Sequence, residues 1–311
     1  MTAIKVVVVA GPTASGKSAL ALALAERFGG TVINADSIQC YRDLSSLTAR
    51  PMPDEEARAP HRLYGFLAAT ETMSAAKWAD LAAQEIKIAH SERKVPIVVG
   101  GTGLYLMALT EGLADIPTVP DEIRNETRKL MDGIGVSYLH RMLGERDPQT
   151  AARLSVNDTQ RVARAWEVLE ATGQSITWWQ TQPKRPAVAA DYFKILLMPP
   201  RDLLYAACEA RFDAMIAAGA LDQVKALLAG GVTDTAPVMR ALGAKELAAH
   251  ALGAASLETA VVTAKTATRH YAKRQSTWFR HQFHAHETVN AQFSESILND
   301  FFNKIGDFVL T

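Results

Sequence analysis

The sequence has almost no cysteine. Two, Cys40 and Cys208, occur in 311 residues. They stand in no metal-ligand spacing and allow at most one bridge, which argues against a disulfide framework and makes a reducing cytosol the expected setting. Net charge is missing too: Lys+Arg and Asp+Glu number 33 each, so the whole molecule exerts no pull on a polyanion. A nucleic-acid surface would have to come from how the charges are distributed. No apolar run approaches the ~18 residues of a spanning helix, so no membrane partner is expected. The N-terminal run IKVVVVA, residues 4–10, is too short for a signal segment with its cleavage site. There is no internal repeat and no low-complexity tract. No exposed apolar stripe stands out either, and a monomer is the expectation. What remains, 48% hydrophobic and 21% charged, suits one large core or a core with a smaller domain.

One stretch carries specific chemistry. GPTASGKS, residues 11–18, matches G-x-x-x-x-G-K-[ST], a loop whose backbone N–H groups wrap a chain of phosphates. Its context is right, because the β-branched run at 4–10 reads as a buried parallel strand and SALALALAERF reads as a helix stopped by Gly29 and Gly30. Gly11 and Gly16 let the backbone fold round the anion, Lys17 neutralises the terminal phosphates, and the Ser18 hydroxyl is offered to Mg²⁺. The motif leaves open whether the phosphate moves or whatever the phosphate is attached to.

TVINADS (31–37) and VPIVVGG (95–101) read as further strands, with helices from about Ala75 to Ala89 and over TGLYLMALTEGL. Strand, glycine loop, helix, strand, helix, strand specifies a parallel βαβ sheet covered on both faces. From about Ala114 to Ala190 the pattern turns polar and wholly helical, with Pro120 and Asp121 opening one helix and Asn157 or Asp158 capping another that ends at Gly173. FKILLM (193–198) then returns to a core strand. The expected fold is therefore α/β, a P-loop NTPase-like parallel sheet with an inserted helical domain. Its parts would be residues 1–114 and 191–285 as the core, 115–190 as the insertion and 286–311 as a C-terminal tail.

A kinase or nucleotide hydrolase usually has an acid at a neighbouring strand end to hold Mg²⁺, whereas the third strand here ends IVVGGTG. The strand-end acid that exists is Asp36, and position alone leaves it as metal holder, general base or turn cap. Between Lys265 and His284 there are five Lys/Arg and no Asp or Glu. At ~100° per residue, Lys265, Arg269, Lys273 and Arg280 fall within about 80° of helix surface, with Tyr271 and Trp278 on the other side as anchors. Such a stripe suits a phosphate backbone; an ordinary solvated face is the alternative. His270, His281, His284 and His286 have no cysteine pair beside them, and no structural metal is expected. WWQ (178–180) reads as packing at the insertion's edge.

GPTASGKS, NADSIQCYRD, VVGGTGLY and RHYAKRQSTWFR occur here in the order and approximate spacing of the tRNA dimethylallyltransferases, which the chain resembles from residue 4 to about 284. Shorter echoes are PHRLYGF, RVARAWEVLEATGQS, RFDAMIAAGALDQV and RALGAKEL. The resemblance implies that the loop, Gly11, Pro12, Thr13, Ala14, Ser15, Gly16, Lys17 and Ser18, holds the diphosphate of dimethylallyl diphosphate rather than ATP. It implies transfer of the prenyl group, with Mg²⁺, to the exocyclic amine of the adenosine just after the anticodon of tRNA. By the same match Asp36 would be the base, Thr13 would bond the bridging oxygen of the leaving group, and Arg211 would steady the diphosphate. Contacts to tRNA would come from Asp36, Ser37, Ile38 and Gln39, from Thr102 and Arg124, and from Gln160, Arg161, Val162, Ala163 and Arg164. The residues alone would also permit a solvated helix face at 160–164 and at Arg211. The zinc-finger extension of eukaryotic relatives is missing, and where the family usually reads DIGTAKP this chain has LSSLTARP, so the geometry over 43–51 is the least determined. Two rivals stand beside this reading: a nucleotide or small-metabolite kinase, favoured by the loop and helical insertion alone, and a non-catalytic RNA-binding module, supported by the basic stripe.

Overall fold

The computed structural model describes residues 3–294 and 298–310. It divides into two compact units, residues 1–110 with 187–311, and residues 111–186.

The first unit is built on a six-stranded sheet in the order β3-β2-β4-β1-β5-β6, with every neighbouring pair parallel. The strands are β1 (Lys5–Ala10), β2 (Gly30–Asn34), β3 (His61–Arg62), β4 (Val95–Gly100), β5 (Asp191–Leu197) and β6 (Glu287–Val289). The inner strands β1, β2 and β4 are mostly apolar runs because both faces are covered, whereas the short outer strands β3 and β6 are polar and partly exposed. Val6 to Ala10 are all 0% exposed. Val7 and Val9 point into a cluster with Leu20, Leu24, Ile97, Val99, Ile195 and Leu197, while Val6 and Val8 point to the opposite face. Leu20 and Leu24 come one turn apart on the helix Lys17–Phe28, whose Gly29 cap turns left-handed and donates its N–H to Ala25 O. On the other face the helix Ala75–Ser91 buries Trp78, Ala82, Ala83 and Ile86.

The segment from 286, expected as a tail, contributes β6 alongside β5 and the helix Leu298–Leu310, whose Phe301 and Ile305 complete the apolar cluster. The three-residue strand leaves no periodicity to detect, whereas the 13-residue helix Leu298–Leu310 carries its apolar residues at helical spacing and could have been found in the sequence.

Chain order against sheet order positions the site. The connection leaving β1 runs to one side of the sheet and the connection leaving β4 to the other, so a crevice opens at the C-terminal ends of these adjacent strands. Ligands of open parallel sheets sit at such a reversal.

The second unit is helical, with Asp121–Ile134, Val136–Arg146, Pro148–Ala151, Thr159–Thr172 and Ile176–Thr181. Its core is Leu139, Leu143, Val162, Ala165, Trp166 and Leu169. Asp158 is the cap of the Thr159–Thr172 helix, its side chain accepting from Arg161 N, and Gly173 ends it. Leu113 bridges Arg185, so the two ends of the unit meet. Trp179 packs here, its indole donating to Thr172 Oγ1 at 3.2 Å; Trp178 beside it is exposed.

Candidate active site

The phosphate loop leaves β1 at Gly11 and enters the next helix at Lys17. Ala14 and Gly16 both take left-handed backbone, φ 62 and 87, which aims successive amides inward. At alanine that conformation costs about 1 kcal/mol. The Lys17 ammonium is buried and donates to Pro12 O at 3.3 Å. Burial pulls its pKa from 10.5 down to about 8; the Arg211 charge pushes the same way and Asp36 opposes them. The Ser15 hydroxyl is buried and has no hydrogen-bond partner among the described residues. Ser18 is exposed at the head of the helix.

Asp36 follows β2 in a tight turn. Its Oδ1 accepts from Ile38 N at 3.0 Å, and its own N–H donates to Asn34 Oδ1 at 2.8 Å. One carboxylate oxygen is thus engaged in the turn, and the turn-cap alternative is half true. Asn34, fully buried, also donates to Asp36 O at 3.0 Å and to Leu63 O at 2.9 Å. Trp78, stacked on Tyr105 at 4.5 Å, donates to Asn34 O at 3.0 Å. Sequence reasoning missed Asn34 and Trp78. A buried asparagine just before a strand-end acid was the available signal.

The glycine at the end of β4 has a steric cause. A Cβ on Gly100 would lie 2.1 Å from Ala35 O, so the strand carrying Asp36 approaches too closely for any side chain there, acidic or not. The next residues tie the two strand ends together. Thr102 N donates to Ala35 O at 3.2 Å, and Thr102 Oγ1 accepts from Ser37 N at 2.9 Å and faces Ser37 Oγ at 3.3 Å.

Arg211 reaches the same place from the helix Arg201–Ala217. Its Nη2 donates to Thr48 O at 3.5 Å, and its Nε is buried with no partner among the described residues. Burial lowers its pKa, while the Asp36 charge works against that. Asp36, Lys17 and Arg211 thus lie within one another's fields, a carboxylate facing two desolvated cations. An orphaned guanidinium N–H and an orphaned serine hydroxyl around such a group fit an anion that supplies the missing acceptors.

Segment 43–51 forms a short helix, Ser45–Thr48, between left-handed Leu44 and Ala49. Gln39 Nε2 donates to Thr48 O and Ala49 O at 3.0 and 2.8 Å. Arg50 Nη1 donates to Tyr41 O and Arg42 O, both at 3.1 Å, so this arginine serves as a local staple. Ile38 is half-buried.

The remaining expected contacts lie in the helical unit. Arg124 pairs with Asp121 at 3.3 Å, Arg161 with Asp158 at 3.5 Å and Arg164 with Glu167 at 3.8 Å. Burial, opposed by Glu167, lowers the pKa of Arg164, and the Arg124 charge adds to the lowering. Gln160 and Arg161 are exposed and Ala163 is half-buried. Val162 is 0% exposed inside the unit's own core, so its side chain is closed to a ligand.

The basic stripe is half neutralised. Lys265 pairs with Asp213 at 2.7 Å and Arg269 with Glu209, which leaves Lys273 and Arg280 exposed and without an ion pair among the described residues. They line a cavity of about 560 Å³ with Arg201, Tyr205 and Phe283. Tyr271 and Trp278 are half-buried flanks rather than anchors; the buried line of the helix Leu257–Gln282 runs through Ala264, Thr268, Ala272, Gln275 and Phe279. A helical wheel locates charges but not the acids on the neighbouring helix. Among the described residues no three His, Cys, Asp or Glu group as metal ligands, and no helix is long and apolar enough to cross a membrane.

Comparison with known proteins gives a consistent result. A model of the IPP transferase family matches residues 39–282. The chain is 51% identical over 310 residues to a tRNA dimethylallyltransferase of Paramagnetospirillum magneticum, covering 100% of this chain and 98% of the relative. It is 56% identical over 281 residues to the enzyme of the same description from Rhodospirillum centenum, covering 90% of each. Among solved structures it resembles the full-length tRNA isopentenylpyrophosphate transferase of Bacillus halodurans, with TM-score 0.71 and 33% identity over 98% of this chain and 97% of that one. A eukaryotic dimethylallyltransferase acting on tRNA superimposes with TM-score 0.82 and 26% identity, over 98% of this chain and 79% of that one.

Proposed function

The chain belongs to the IPP transferase family, and from that premise we propose that it transfers a dimethylallyl group from dimethylallyl diphosphate to the N6 amine of the adenosine following the anticodon in tRNA. That it is an enzyme, and that it prenylates tRNA, follows from membership.

The amine nitrogen attacks C1 of the prenyl group. The C1–O bond breaks, diphosphate leaves, and the amine proton passes to the Asp36 carboxylate. Base catalysis of this kind contributes on the order of 10²–10⁴-fold. Negative charge grows on the departing oxygen, where Thr13 Oγ1 would donate to it while Lys17 and Arg211 receive the phosphates. Contacts aimed at developing charge are worth about 3 kcal/mol each. The observation that carries the reading is the convergence of Asp36 with two buried cations, one with an unpaired N–H. It provides a proton acceptor and an anion cradle within one crevice.

Mg²⁺ fits the donor set in one limited way. Without a carboxylate cluster in the described residues, the protein would hold the ion through the exposed Ser18 hydroxyl, the rest of its shell coming from phosphate oxygens and water. When bound it would neutralise charge on the leaving diphosphate. The acceptor base must leave the anticodon stack to be reached. Arg124, Gln160, Arg161 and Arg164 would hold the surrounding tRNA, with Gln160 and Arg164 four apart on one helix face. Val162, buried and with its N–H bonded to Asp158 O, would support that face from within, and half-buried Ala163 would border it. Ser37, Ile38, Gln39 and Thr102 border Asp36 and would frame the flipped base.

The test is incubation with unmodified tRNA, Mg²⁺ and either dimethylallyl diphosphate or ATP, followed by mass analysis of the digested nucleosides. A five-carbon addition to adenosine with the prenyl donor alone is expected. Phosphate transfer from ATP would favour a kinase and reject this reading.

A further inference from the structure

Gln275 takes no part in the reaction as written, yet it sits at the centre of the crevice. It is 7% exposed, in the middle of the helix Leu257–Gln282. Its Oε1 accepts from Thr13 N at 2.8 Å and its Nε2 donates to Gly101 O at 2.8 Å. Only one orientation of the amide satisfies an N–H on one side and a carbonyl on the other, so the partners fix it.

Each of those partners opens onto half of the site. Thr13 belongs to the loop that would grip the leaving group. Gly101 precedes Thr102, whose N–H and hydroxyl bind Ala35 O and Ser37 N, the residues on either side of Asp36. Space around the link is tight, since a Cβ on Gly101 would fall 2.5 Å from Gln275 Nε2. We propose that Gln275 is a positioning residue that sets the separation between the leaving-group loop and the turn bearing the base. With its N–H committed to Gln275, Thr13 meets the substrate through its hydroxyl, and the amides of the cradle come from elsewhere in the loop. The role rests on the functional reading above. A displacement of about 1 Å between reacting groups is enough to lose ~10²-fold in rate.

Chemistry distinguishes this role from simple packing. Gln275→Glu keeps the shape; as a neutral acid it accepts from Thr13 and donates to Gly101, but as a carboxylate it faces the Gly101 carbonyl with no proton. Burial moves such a carboxyl upward, so the variant's titration falls within an accessible pH range. Gln275→Met fills the space and leaves both backbone groups unpaired at every pH. Steady-state kinetics of prenyl transfer should show Gln275→Glu about 10- to 100-fold down in kcat at the alkaline end, with KM for both substrates within about threefold of wild type. Its ratio to wild type should climb toward one as pH falls, and Gln275→Met should stay low throughout.

Wild-type transfer together with a Gln275→Glu profile parallel to wild type, a fully active Gln275→Met, or a loss confined to KM would overturn this role alone. Wild-type protein that transfers no prenyl group would overturn the functional reading and the role with it. Should a variant fail to fold, hydrogen exchange at the Thr13 amide of the ligand-free wild type decides: protection supports the bond, and exchange at the free-peptide rate refutes it.

Discussion

Replacing Lys17 by methionine should make the protein inactive and more stable at once. Folding buries the ammonium and takes its pKa from 10.5 to about 8. At 1.36 kcal/mol per decade, that costs the folded state about 3 kcal/mol at neutral pH. Methionine, similar in length, removes the charge and also the hydrogen bond to Pro12 O, worth about 1 kcal/mol. The net gain is therefore about 2 kcal/mol at pH 7. The sign with pH follows from proton counting. Between about pH 8 and 10.5 the unfolded chain binds the lysine proton and the folded chain does not, so wild-type stability rises with pH across that window. The advantage of Lys17→Met should shrink over the same window and disappear above it. Urea denaturation at pH 7 and at pH 9.5, on both proteins, measures this directly. Added diphosphate with Mg²⁺ should stabilise wild type more than the variant, since it supplies the counter-charge Lys17 lacks. A variant less stable than wild type at pH 7, or an advantage that does not change with pH, would show that the buried ammonium is not the strained element of the loop.

Further outcomes follow from the same geometry. The kcat/KM of wild type should fall as pH rises through about 8, as Lys17 of the free enzyme loses its proton; a flat profile to pH 9.5 would contradict the role given to its charge. Asp36→Asn should lower kcat by roughly 10²–10⁴-fold; full activity would leave only the turn-cap role. The amide oxygen can still accept from Ile38 N, but the counter-charge to buried Lys17 and Arg211 is lost, so the melt at neutral pH should also fall. Arg211→Gln should cost about 3 kcal/mol of barrier, near 10²-fold, and a thermal melt unchanged or raised would separate that from misfolding. Gly100→Ala forces a methyl to 2.1 Å from Ala35 O and should destabilise by about 3 kcal/mol, and a melt equal to wild type would show that the strand ends can part.

Much of this architecture could be read from residue order. Four of the six strands were legible as apolar runs, and the phosphate loop as a motif in its proper context. The short β3 and β6 were not, because pairing rather than periodicity defines a two- or three-residue strand. Asp36 could be found as the lone strand-end acid in the first hundred residues, but its position alone left three roles open, and the two buried cations beside it come from distant parts of the chain. Lys265 and Arg269 show the opposite limit. They look like free cations along one helix and are neutralised by acids some fifty and sixty residues earlier.

By itself the sequence determined the local elements: a left-turning glycine loop after a β-branched strand, a helix that must follow, and a polar helical stretch unable to supply strands. These depend on neighbours a few residues apart, whose dihedral and side-chain preferences act without the rest of the chain. Only the tertiary structure decided which distant groups share a crevice. The partners of Gln275 lie 262 and 174 residues away along the chain, and Arg211 comes within the field of Asp36 from the distant helix Arg201–Ala217. Burial sets the energies there, and burial is created by packing; no stretch of sequence carries the desolvation that brings a lysine down to about 8 or leaves a guanidinium N–H without a partner.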